Sequence, residues 1–110
     1  MSVKDNAVTF NVVLEKEGRE WVAHCLELDI VATSTNRRTV LADMVHLIGA
    51  QVGYAFANNN LDNLYHPAPP EVWEKFYQCK KQEKKRVPLA KAPRRAGFVP
   101  PVVFANACCA

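Results

Sequence analysis

The segment WVAHCLELDI, residues 21–30, sets an imidazole, a thiol and two carboxylates within six positions: His24, Cys25, Glu27 and Asp29. Such groups ligate metal ions, and a thiol beside an imidazole supplies a nucleophile with its base. Spacing argues against both uses. In an extended strand Trp21, Ala23, Cys25 and Glu27 fall on one face, and Val22, His24, Leu26 and Leu28 on the other. The imidazole and the thiol then point apart and share neither an ion nor a proton. Metal-dependent hydrolysis of nucleic acid needs several convergent carboxylates. Glu15, Glu27, Asp29 and Asp43 are the candidates, and no spacing pairs them. Cys25 and Ser34 lack a positioned base. A non-catalytic protein with no cofactor and no metal is expected.

Charge supplies a second set of candidates. The net charge is +3, yet it is unevenly spread. Residues 1–79 carry six Lys or Arg against ten acids, whereas residues 80–95 carry eight against Glu83 alone. Lys80, Lys81, Lys84, Lys85, Arg86, Arg94 and Arg95 are therefore candidate phosphate contacts. Pro88 and Pro93 break the segment, so weak, sequence-tolerant and salt-sensitive binding of nucleic acid is the most it suggests. A solvated linker over residues 83–97 is the simpler expectation. Arg37 and Arg38 occupy the first turn of a helix, where the dipole disfavours cations. They are candidate contacts for a partner bearing carboxylate or phosphate.

The elements that must position these residues follow from periodicity. AVTFNVVLE alternates, with Val8, Phe10, Val12 and Leu14 on one side. Gly18 turns the chain, and REWVAHCLEL returns as the second strand of an antiparallel hairpin. IVATS is a third, β-branched strand. Asn36 is suited to cap a helix running to about Ala57. Gly49 and Gly53 share one side of that helix, and each costs about 1 kcal/mol against alanine, which predicts close approach of a neighbouring backbone. Pro70 opens a second helix, EVWEKFYQCKKQ, with Trp73, Phe76 and Tyr77 as its packing stripe. VVFANA follows Pro100-Pro101 as a short edge strand. An unpaired edge invites another chain, so Val102, Val103 and Phe104 are candidate homodimer contacts.

Cys25, Cys79, Cys108 and Cys109 form no C-x-x-C pair, and Ala107 stands where a prenylation box needs cysteine. Scattered reduced thiols are expected. No run approaches the roughly 18 apolar residues of a membrane span. MSVKDNAVTF lacks a secretory h-region. These features predict a soluble cytoplasmic protein with no membrane contact.

The stretch TFNVVLEKEGREWVAHCLELDIVATSTNRRTVLADMVHLI resembles the HicB-like family of antitoxin-related proteins. Trp21, Ala23, Glu27 and Leu28 match the family's second strand, and Leu41, Met44 and Ile48 its helix register. Ser34, Asn36, Thr39 and Val40 replace the Gly, Thr, Glu and Ala of its helix-start box. The resemblance covers about half the chain. It implies an α+β fold, a three-stranded antiparallel sheet of partial ribonuclease-H-like type packed on a long helix. A second helix and a short C-terminal strand complete it. Residues 1–82 would form the HicB-like domain, 83–97 a basic linker, and 98–110 the C-terminal strand and tail. The implied function is protein binding: an antitoxin neutralising a small HicA-type ribonuclease toxin, or a solitary relative of one. Neither a helix-turn-helix nor a ribbon-helix-helix segment follows, and weak nucleic-acid binding through residues 80–95 is the alternative.

Overall fold

The computed structural model describes residues 7–89 and 102–109. Strands β1 (Ala7–Glu17), β2 (Glu20–Cys25) and β3 (Ile30–Ser34) lead into helix α1 (Arg37–Ala57). A 3-10 turn at Leu61–Asn63 and helix α2 (Pro70–Gln78) precede strands β4 (Gln82–Val87) and β5 (Val102–Cys109). The five strands form one mixed sheet in the order β3-β2-β1-β5-β4. β1 pairs antiparallel with β2 and parallel with β5, and β4 lies antiparallel on β5.

The hairpin forms as its alternation predicts. Gly18 takes φ 63°, a left-handed conformation open to glycine at little cost. Phe10, Val12 and Leu14 enter one core with Ala23 and Cys25 of β2. Val40, Leu41, Met44, Ile48 and Val52 of α1 cover that face, so one apolar layer joins helix and sheet. On the opposite face Val13, Leu26 and Cys108 pack beneath Ala68 and Phe76 of the α2 segment. The sheet is thus held between two helices. His66 N and Ala68 N donate to the Glu27 and Leu26 carbonyls, at 2.9 and 2.7 Å, and tie the α2 approach to the end of β2.

The Asn36 side chain accepts from Thr39 N at 3.0 Å and caps α1. Gly49 meets a close backbone: a β-carbon there would stand within 3.0 Å of the Pro88 carbonyl oxygen. α1 has the length and apolarity to cross a membrane, although polar residues interrupt its apolar run. Its buried residues face the sheet instead, as in a core helix.

Five expectations need correction. The sheet has five strands and is mixed, not three-stranded and antiparallel, because β5 inserts beside β1 and brings β4 with it. Residues 82–87, assigned to the end of the domain and a linker, are strand β4. β5 is an interior strand, its backbone paired on both sides, so Val102, Val103 and Phe104 offer no open edge to a second chain. Cys79 and Cys108 are joined as a disulfide, with their Cα atoms 6.1 Å apart. That bond anchors the end of α2, which stops at Gln78 rather than running on to Gln82.

Candidate functional site

The reactive residue types of the second strand diverge. His24 lies on the face that carries α2, opposite Val13, its Nε2 2.6 Å from Asp29 Oδ1, and the pair spans the turn that follows β2. Asp29 holds φ 53° in that turn. Glu27 turns back to β1, where its two carboxylate oxygens accept from Asn11 N and Asn11 Nδ2 at 2.8 and 2.7 Å. The strand ends at Cys25, so the predicted alternation fails beyond it and Leu28 joins the core face with Cys25.

Cys25 is completely buried, and burial pushes its thiol up to about 12. It stays protonated at neutral pH, and a thiol is a poor nucleophile and ligand. Glu15 is engaged by Lys75 Nζ at 3.0 Å, on the far side of the sheet from exposed Asp43. Among the described residues no three His, Cys, Asp or Glu side chains converge as a metal site.

The basic residues do converge. The start of α1 and strand β4 enclose a cleft of about 450 Å³. Arg37 and Arg38 line it from the helix, and Lys85 and Arg86 from the strand. Leu41, Ala42 and Val45 supply an apolar floor. Two groups of cations, read from the sequence as separate sites, therefore face one space. Among the described residues Glu83 is the one carboxylate in the lining. It accepts from Arg37 Nη2 at 3.2 Å and lies 3.2 Å from Lys85 Nζ. Hydrogen bonds from Lys85 and Arg37 hold its carboxyl below the usual carboxylate range. Arg38 and Arg86 have no ion-pair partner among the described residues.

α1 has no acidic residue in its first turn, so its N-terminal dipole adds to the positive field. Successive strand residues point to opposite faces of a sheet. Because both Lys85 and Arg86 line the cleft, it opens at the outer edge of β4. A smaller recess of about 260 Å³ shares Ala42 and Val45 with it and is lined further by His46, Pro88 and Leu89.

The other basic candidates lie elsewhere. Lys84 projects over the Phe104 ring at 5.3 Å on the opposite face. Lys80 and Lys81 are exposed between α2 and β4, and Arg94 and Arg95 lie outside the described residues. Sequence reasoning missed Glu83 and the apolar floor. The one signal for Glu83 was its position as a lone acid in a basic run. No family model, curated protein or solved structure matches this chain.

Proposed function

We propose that this chain is a non-catalytic, HicB-like protein-binding module that grips an acidic segment of its partner in the cleft between α1 and β4. The carrying observation is the convergence of Arg37, Arg38, Lys85 and Arg86 on one apolar-floored space, two of them without an ion-pair partner among the described residues. Desolvated at an interface, such cations fix orientation and reject basic partners. The hairpin, third strand and capped long helix follow one another as the HicB-like resemblance implies. A HicA-type ribonuclease toxin is the partner that this resemblance suggests. An enzyme that binds RNA presents a basic face to it, so the cleft would hold an acidic segment away from that face.

The test is calorimetric titration with a HicA-type ribonuclease, alongside its activity on a generic RNA. Binding that Arg38→Glu and Arg86→Glu together weaken about tenfold, or 1.4 kcal/mol, is expected. Binding that ignores both changes refutes the reading.

The same four cations also favour phosphate. Anisotropy with a generic RNA and a duplex DNA, at low and physiological salt, separates this alternative. Counterion release makes such binding collapse as salt rises. Self-association also belongs to the reading, but not through β5. The uncharged edge strand IVATS, with Val31 exposed, suits a homodimer better than β4, whose cations would meet their like. Sedimentation of the intact protein and of Val31→Lys tests it, and two monomers would refute it.

A further inference from the structure

We infer that β4 is the acceptor for an extended acidic segment, which joins the sheet as a sixth strand and lays alternate side chains into the cleft. This rests on the reading of the cleft as a protein-docking surface and specifies how the partner is held. β4 is the last strand of the sheet, and among the described residues no chain pairs with its outer edge. The backbone groups along such an edge are unsatisfied by protein and template another strand.

The two edges of the sheet differ in chemistry. β3 carries no charge. β4 carries Lys84, Lys85 and Arg86 in succession, so cations project from both faces of its edge. Cations on an edge normally keep strands apart by repelling copies of themselves. Towards an acidic strand the same charges are attractive, and the edge becomes selective instead of closed.

Geometry supports the specific placement. Arg37 and Arg38 of α1 overhang the β4 edge across the cleft. A strand added there has side chains alternating between two environments. On the α1 side they meet Lys85, the two arginines and the apolar floor. On the other side they meet Lys84 and Arg86. The favoured occupant is an extended segment with Asp or Glu on both faces and an aliphatic residue towards Leu41 and Val45. Two copies of this chain cannot supply it through β4, whose own sequence is basic.

The probe is a fluorescein-labelled peptide of about six residues, matched to β4 in length, with Glu or Asp at every position except one central Val, so that acids fall on both faces. It is titrated against the whole protein by anisotropy. In a paired strand, every second residue directs its N–H and C=O to the neighbour. Methylating the peptide nitrogens of one alternate set should therefore abolish binding, and methylating the other set should leave it unchanged.

Exchanging Lys85→Glu and Arg86→Glu should weaken binding about tenfold, with unchanged far-ultraviolet circular dichroism confirming the fold. Loss from both methylated sets alike, or from neither, overturns strand addition and leaves the cleft as a charge-reading surface. Peptide binding indifferent to Lys85→Glu and Arg86→Glu overturns the docking surface itself. Preference for a generic RNA over the peptide at equal charge overturns both in favour of a nucleic-acid site.

Discussion

Replacing Gly49 with alanine tests how α1 is seated. In a solvent-facing helix this change stabilises by about 1 kcal/mol, through backbone entropy. Here the new methyl would lie within 3.0 Å of the Pro88 carbonyl oxygen and 3.4 Å from Val87 Cγ1. A carbonyl is part of the chain and cannot rotate aside as a side chain can, so the end of β4 must move. Overpacking of this kind costs about 1–3 kcal/mol. If the strand end detaches, it forfeits the burial of Val87, about 1.5–3 kcal/mol, and about 1 kcal/mol for each ladder hydrogen bond. With one such bond lost, detachment costs about 2.5–4 kcal/mol, and subtracting the helix gain of about 1 leaves a net loss of about 1.5–3 kcal/mol.

Urea denaturation reads this directly. With a slope of about 1–3 kcal/mol per molar, the midpoint should fall by roughly 1 M. Ala50→Gly, at the next helical position, should lose about 1 kcal/mol by propensity alone. A Gly49→Ala protein as stable as the parent, or more so, would refute the packing of α1 against the β4 exit.

Reduction of Cys79–Cys108, which closes a loop of 29 residues in sequence, should lower stability by roughly 3–4 kcal/mol on the chain-entropy account. Urea curves with and without a phosphine reductant check it, and coincident curves would sink it. Cys25 should resist iodoacetamide in the reduced folded protein at pH 8 and react once urea unfolds it, because its thiol is pushed up to about 12. Mass spectrometry of peptides reads the outcome. Arg38→Glu should raise the melting temperature slightly, by relieving the helix dipole, whereas Arg37→Glu should lower it by setting a second carboxylate beside Glu83. Each effect should stay within about 1 kcal/mol. Glu83, with its carboxyl held low, contributes stability above the ordinary glutamate pKa and loses it as pH falls through the lowered folded value. Melting curves of the parent and Glu83→Gln should converge in acid, and a constant gap would contradict the link between α1 and β4.

Local pattern carried the first half of the chain. Alternation over residues 8–14 found the core face, Asn36 found the start of α1, and the glycine pair found a close backbone contact at Gly49. The second half escaped because its structure depends on distant partners. QEKKRV has one fully buried side chain, Val87, and becomes a strand by pairing with β5. Nothing in VVFANACC distinguishes an interior strand from an edge until β1 and β4 are seen on either side. Cys79 and Cys108 lack a motif spacing and meet because α2 ends over β5. The cleft was half legible. Both basic groups stood out by charge, but no periodicity relates residues 37–38 to residues 85–86.

The place of β5 has a consequence for biogenesis. The interior strand that joins β1 to β4 is translated after the other four strands of the sheet. Until residues 102–109 leave the ribosome, β1 holds an open parallel edge and β4 has no neighbour in the sheet. The nascent chain therefore carries its hairpin and long apolar helix through synthesis with the core unsealed, exposed to chaperones and proteases. Parallel pairing between β1 and β5, so distant in sequence, is slow to nucleate. A premature stop before residue 102 would remove the strand that binds β4 to β1, not a tail. Such a fragment would be cleared as misfolded and would not accumulate as a shorter binding module.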